Sequence, residues 1–212
     1  MVPGAPAPMD GVIPLHFSGL DIEARIDPPG SLGGQADENM AGWRAFFEPL
    51  PGGDSRWLRL GLGPDLATGY ALAEILRPFL CAAVRIARAC GQRGMGWVPA
   101  RLFSALSLWD EQLELFERHE LLPVVPLVAF DDGPNLVSTR GLDQLAGEEL
   151  LIEAPMLTRQ QLVRRMLRLA VDRYRDGPFE HDALLPDIEP DMAWRVVAGA
   201  GITRFRVEAT PS

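Results

Sequence analysis

The stretch Leu122-Pro-Val-Val-Pro-Leu-Val-Ala-Phe130, followed by Asp131-Asp132-Gly133 and then by Leu136-Val-Ser-Thr139, carries the strongest β signal in the chain. Two runs rich in β-branched and apolar residues flank an Asp-Gly pair, the pattern of a hairpin whose turn needs left-handed backbone. Pro123 and Pro126 each lack an amide donor, which predicts that the first run, Leu122 to Phe130, lies at a sheet edge or bulge.

Outward from this hairpin, strands and helices come in segregated groups. Val12 to Phe17 and Leu20 to Asp27 read as two short strands joined by a tight turn at Ser18-Gly19. The second alternates Leu20, Ile22, Ala24 and Ile26 with Asp21, Glu23, Arg25 and Asp27. Asp27 to Asn39 is a turn-rich loop. A short helix is expected near Met40 to Phe47, and strands near Arg56 to Leu62 and Met95 to Val98.

The longest expected helix runs from Asp65 to Cys90. Glu74, Arg77, Cys81, Arg85 and Arg88 form one polar stripe along it, and Gly91 stands at the position just past its end. Pro78 predicts a kink. A second helix, Leu108 to Glu120, takes Ser107 as its cap, and a third, Arg159 to Tyr174, takes Thr158 with Gln161 completing a capping box. Glu148 to Glu153 reads as a strand, Asp176 to Asp191 as turn-rich, and Trp194 to Val197 pairs with Ile202 to Glu208 across Gly199-Ala200-Gly201. The expected architecture is α+β: a mixed or mostly antiparallel sheet of about five to seven strands, with a long central helix and two further helices. Residues 1–11 read as a flexible N-terminal arm and 12–212 as a single domain.

Composition narrows the chemistry. All twenty basic residues among the 212 are arginine. Schiff-base and pyridoxal chemistry need a side-chain amine, and a Walker A loop needs its lysine on the phosphates, so neither can be built. A GC-rich bacterial genome that favours Arg over Lys accounts for the bias. With a net charge of −9 the chain is a poor binder of nucleic acid or anionic membrane and a better match for a basic protein partner. No run approaches the roughly 18 to 20 apolar residues of a membrane span, so the cytoplasm is the expected location.

Cys81 and Cys90 are nine residues apart in the long helix, a rotation of about 900° that sets them on opposite faces. They cannot pair. Cys81 lies between Arg77 and Arg85, whose charges favour a thiolate and mark it as the reactive-thiol candidate, whereas Cys90 is expected to be a core residue. His16, His119 and His181 are scattered, and no zinc-ligand spacing occurs, so neither a metal nor a cofactor is expected.

From Trp97-Val98-Pro99 before an acidic helix, through the apolar Leu122 to Phe130 run and Ser138-Thr139-Arg140-Gly141-Leu142 leading to Glu148-Glu149-Leu150, to the Asp176-Gly177 turn, the order of signals resembles a bacterial family known as domain of unknown function 4261. The resemblance covers about residues 97–190. It implies a bacterial cytosolic α+β protein and brings no catalytic residues.

The most enzyme-like segment is Glu180-His-Asp-Ala-Leu-Leu-Pro-Asp-Ile-Glu-Pro-Asp191. There His181, Asp182, Asp187, Glu189 and Asp191 could serve a carboxylate-based hydrolase, with oxygen ligands suited to a divalent cation. The bland alternative is a solvated loop. Asp131 and Asp132 follow an apolar run, where α/β enzymes often place catalytic carboxylates, although a turn is simpler. Ser104, Ser107, Ser138 and Thr139 have no nucleophile-elbow context. Gly91, Gly94 and Gly96 follow a helix and precede a strand, the reverse of a dinucleotide-binding turn. Arg164, Arg165 and Arg168 make the third helix basic within an acidic protein. They form either a docking face for a partner or a solvated face paired with the chain's own carboxylates. The function expected is that of a noncatalytic protein-interaction module, immunity-type or regulatory, with a homodimer left open. The hydrolase is the alternative.

Overall fold

The computed structural model describes residues 12–27, 31–32, 35–36, 43–51, 55–133, 135–187 and 192–209. The expected arm, 1–11, lies outside the described residues, as does most of the loop Asp27 to Asn39. The fold is α+β. Its contacts divide the chain into two compact units, one of residues 1–95 with 103–106 and one of 96–102 with 107–212, where sequence alone grouped 12–212 together.

In the first unit, β1 (Val12–Phe17) and β2 (Leu20–Asp27) form an antiparallel hairpin from Val12 opposite Arg25 to Phe17 opposite Leu20. Ser18 and Gly19 both take positive φ, 50° and 82°, the conformation whose twist matches that of the strands. Two-residue strands β3 (Ser31–Leu32) and β4 (Gln35–Ala36) pair with each other, and β5 (Arg44–Phe46) follows. Then β6 (Trp57–Leu62) closes a sheet of order β1-β2-β6. Along β2 the alternation holds to Ala24 and then fails: Ile26 is exposed, while Asp27 is buried and accepts a 3.2 Å hydrogen bond from Arg59 Nη2.

Helix α1 (Ala73–Ala89) is shorter than the expected Asp65 to Cys90. Residues 64–66 and 69–71 form separate 3-10 turns, and Leu72 is extended. Leu76, Phe79, Leu80, Ala82, Ala83 and Val84 form the buried side. The C-terminus behaves as Gly91 predicts. At φ 67° it lets Gln92 N–H reach Ala87 O and its own N–H reach Arg88 O, both at 2.9 Å, the paired bonds of a Schellman ending. β7 (Gly94–Trp97) and β8 (Leu102–Ala105) join β5 in a sheet of order β5-β8-β7.

The second unit holds a six-stranded sheet of order β12-β13-β14-β11-β10-β9, with helix α5 (Arg159–Asp176) packed on β10 and β11. In chain order its strands are β9 (Ala129–Gly133), β10 (Leu136–Arg140), β11 (Glu149–Glu153), β12 (Ala183–Pro186), β13 (Met192–Val197) and β14 (Ile202–Ala209). β11 and β14 run parallel, Glu149 opposite Ile202, and the other pairs are antiparallel. A parallel pair needs a crossover, and α5 lies within it. Leu150, Ile152, Val196 and Phe205 from the central strands and Leu162, Met166 and Ala170 from α5 are buried together. Thr158 Oγ1 accepts from Gln161 N–H at 3.3 Å and Gln161 Oε1 accepts from Thr158 N–H at 2.9 Å, the expected capping box.

Several expected elements are corrected. Leu122 to Phe130 is not one strand: Val124–Leu127 is a single helical turn, α3 in order after α2 (Leu106–His119). Pro126 sits at its third position, where no helical amide is needed, so the prolines fit a first turn better than a ladder. Asp131 and Asp132 belong to β9, and the chain turns after Gly133, with Asn135 at φ 61°. Ser107 lies within α2 and does not cap it. Residues 44–46 are strand, not helix. β8 falls where the sequence assigns no element, and β12 lies inside the stretch Asp176 to Asp191 expected to be turn-rich. Among the described residues one sheet has six strands, within the expected five to seven, and the other strands form smaller sheets, so a single sheet with one long central helix fits only loosely. No helix among the described residues is long and apolar enough to cross a membrane.

Candidate functional site

The late acidic segment separates. His181 and Asp182 are exposed, and Asp182 Oδ1 accepts from Ala198 N–H at 3.0 Å, fastening the approach to β12 to the end of β13. Asp187 sits where the chain leaves β12, its N–H donating to Met192 O at 3.2 Å. Its carboxylate is buried in the grip of Arg165: Nη2 donates to Oδ2 at 2.7 Å, and Nε donates to Oδ1 at 3.0 Å and to Oδ2 at 3.2 Å. The two side chains are 6 % and 1 % exposed, and the guanidinium lies 6.0 Å from the centre of the Trp194 ring. A carboxylate forked by a buried guanidinium is positioned to hold structure, not to take a proton from a substrate. Glu189 and Asp191 lie outside the described residues. Among those described, no group of three or more His, Cys, Asp or Glu is placed to hold a metal ion.

The basic helix separates as well. Arg164 and Arg168 are exposed, and Arg168 Nε is 3.7 Å from Asp172 Oδ2. Arg165 is buried and so is withdrawn from any docking face, because it shares the inward stripe of Leu162, Met166 and Ala170. The chain's own carboxylates take up most of the remaining arginines of α5: Arg159 forks onto Asp132 at 2.7 and 3.0 Å, and Arg175 donates to Asp176 at 2.9 Å. Hydrogen bonding from Arg175 holds the Asp176 carboxyl below its ordinary range. Arg173 lies 3.9 Å over the Phe179 ring and donates to Gly177 O at 3.0 Å.

The other candidates are dispersed. Asp131 accepts from Arg140 Nη2 at 3.4 Å. Ser104 and Thr139 are buried in strands. Cys81 is half-buried on α1, and Cys90, expected in the core, is exposed at the helix end.

Two groups escaped sequence reading. The first is the carboxylate pair opening β11. Glu148, buried, accepts from Phe179 N–H at 3.1 Å and from the Thr203 hydroxyl. Glu149, half-buried, accepts from the Thr139 hydroxyl at 2.6 Å, from Gly141 N–H at 2.5 Å and from Leu142 N–H at 3.3 Å. Burial pushes the Glu149 carboxyl up, and the nearby Asp143 adds to that. Two adjacent glutamates before an apolar strand were the available signal. The second is Phe46 and Phe47 in the first unit, 43 % and 77 % exposed, stacked edge to face with ring centres 5.2 Å apart. Phe47 holds φ at +61°, a left-handed conformation rare for a bulky side chain. No protein-family model, no curated protein and no solved structure matches the chain.

Proposed function

We propose that the chain is a noncatalytic protein-interaction module of a bacterial cytosolic protein, immunity-type or regulatory, and that Phe46 and Phe47 anchor its protein partner. The resemblance to domain of unknown function 4261 belongs to this proposal. The Phe46–Phe47 pair carries it. An unburied phenylalanine leaves about 1.5–3 kcal/mol of transfer free energy unrealised, and left-handed backbone at a non-glycine residue costs about 1–2 kcal/mol. Such a side chain is rigid, large and enriched among interface anchors. The −9 charge favours a basic partner over nucleic acid or an anionic membrane.

The test replaces Phe47 with Asp and, separately, with Gly, and compares partner capture and thermal midpoint with the wild type. Phe47→Gly relieves the backbone, so its midpoint holds or rises while capture weakens. Phe47→Asp abolishes capture. Capture unchanged in both variants refutes the reading. Sedimentation of the wild type alone tells a homodimer through this patch from a foreign partner.

A further inference from the structure

We propose that the open face of the six-stranded sheet over β13 and β14 is a docking surface for an acidic polypeptide segment, held by Arg195, Arg204 and Arg206. Strand alternation builds this face. Thr203 and Phe205 of β14, Trp194 and Val196 of β13, and Leu150 and Ile152 of β11 are buried on the side of α5, against which the helical turn α4 (Asp143–Ala146) packs in turn. The residues between them point the other way. There Leu184, Arg195, Arg206 and Glu153 stand opposite one another in one row across β12, β13, β14 and β11, and Val197, Arg204 and Leu151 form the next row. All three arginines are exposed, and Leu184 and Val197 are 65 % and 37 % exposed, so this part of the face is open.

The placement of charge selects the occupant. Arg195 and Arg206 are direct cross-strand partners, and like charges in that position oppose pairing. Arg204 lies on the same face two residues before Arg206, and among the described residues it makes no ion pair. Arg206 meets Glu153, Nε to Oε2 at 3.1 Å, in a pair whose side chains are 62 % and 47 % exposed. Water and salt screen such a pair, so the guanidinium changes partner at little cost. With 29 carboxylates for its 20 arginines the chain could give each cation acidic neighbours, yet three stand together here.

A carboxylate laid across these rows receives two parallel donors from a guanidinium, and apolar side chains between carboxylates find Leu184 and Val197 to cover. The field is local, because physiological salt screens exposed charges beyond about 8 Å, and the −9 of the whole chain does not cancel it at contact. A nucleic acid fits less well: no aromatic ring stands in the two rows to stack a base. A second copy docking through the same patch would set arginine against arginine. This surface belongs to the second unit and stands whether or not Phe46 and Phe47, in the first, anchor a partner.

The experiment measures the fluorescence anisotropy of a labelled oligo-glutamate peptide, and of an oligo-deoxythymidylate of matched charge, titrated with the full chain at low and at physiological salt. The wild type is compared with Arg204→Glu, with Arg206→Glu and with Arg164→Glu, which reverses an exposed arginine of α5. The wild type binds oligo-glutamate, more weakly as salt rises. Arg204→Glu and Arg206→Glu each weaken binding by about tenfold or more, the worth of a lost charge-assisted hydrogen bond. Arg164→Glu leaves it unchanged. Arg204 is exposed and its replacement breaks no ion pair among the described residues, so its variant keeps the wild-type thermal midpoint and decides the matter even if Arg206→Glu fails to fold. No binding of oligo-glutamate, wild-type affinity in Arg204→Glu, equal weakening by Arg164→Glu, or an oligonucleotide bound as tightly overturns the proposal. So does self-association of the chain that sedimentation detects and Arg204→Glu abolishes, since the face then belongs to a second copy.

Discussion

Removing the Asp187 carboxylate should be among the most damaging polar substitutions in the second unit. In Asp187→Ala the Arg165 guanidinium, 6 % exposed, loses three hydrogen-bond contacts of 2.7–3.2 Å. Gln161 O, 3.5 Å from Nη1, and the Trp194 face at 6.0 Å are among the contacts that stay, and neither of these two neutralises a buried charge. Breaking a buried pair from one side costs about 3–5 kcal/mol. At about 2–4 °C per kcal/mol for a chain of this size, the midpoint falls by roughly 6–20 °C. The assay is chemical and thermal unfolding of Asp187→Ala, Arg165→Met and Arg165→Met/Asp187→Leu as a double-mutant cycle. The double variant, which removes both charges of the pair and packs apolar atoms at both positions, should recover most of the loss. Arg165→Met alone takes the fork away from the Asp187 carboxylate and should resemble Asp187→Ala. A loss below about 1 kcal/mol for Asp187→Ala is the range of exposed pairs and would refute the burial argument. So would a double variant as unstable as the sum of the singles. Arg159→Ala supplies the contrast: its fork to Asp132 is as short but exposed, and the unfolding midpoint should not move.

Two further substitutions probe the frame around this pair. Thr158→Ala removes one half of the capping box of α5 and should lower the unfolding free energy by about 1 kcal/mol, with Thr158→Asp restoring it. Gly141→Ala should destabilise by more than about 2 kcal/mol, seen in the same denaturant titration, since left-handed backbone alone costs an alanine about 1–2 kcal/mol and a clash adds to it. Gly141 holds φ at +90°, and its added Cβ would meet Ala100 N and Cα at 2.8 and 2.9 Å.

What could be read from the sequence was local. The Ser18-Gly19 turn, the Thr158–Gln161 box and the glycine ending of α1 each depend on residues within six positions of one another, and each formed as expected. Leu122 to Phe130 misled because apolar β-branched residues suit a strand and a short buried helical turn alike, and Pro123 and Pro126 decide between them only once the neighbouring ladder is known. The short strand β12 escaped because Ala183–Pro186 ends in a proline inside a turn-rich stretch and pairs only with β13, at the edge of its sheet. The candidate site was the least legible. Arg165 and Asp187 are 22 residues apart, and no spacing rule connects them. One half of the pairing could still be found: Arg165 lies three residues after Leu162 and one before Met166, so helical periodicity sets it on the buried stripe despite its charge.

That placement also gives the absence of lysine a structural meaning beyond the mechanisms it forbids. A buried cation must satisfy its donors and neutralise its charge within a few ångströms. An ammonium concentrates its charge on one strongly hydrated atom, whereas a guanidinium is planar, more weakly hydrated and presents two donors in parallel to a carboxylate. Arg165 uses that geometry by forking onto Asp187 through Nε and Nη2 and directing Nη1 toward Gln161 O. Arg175 repeats the fork on Asp176 at the surface, and Arg159 places both Nε and Nη2 on Asp132 Oδ2; there such pairs hold little stability but consume charge that a partner would otherwise meet. A helix with Arg159, Arg164, Arg165, Arg168, Arg173 and Arg175 thus presents far less free positive charge than its sequence suggests, which shifts the search for a binding face from α5 to the exposed rings of Phe46 and Phe47.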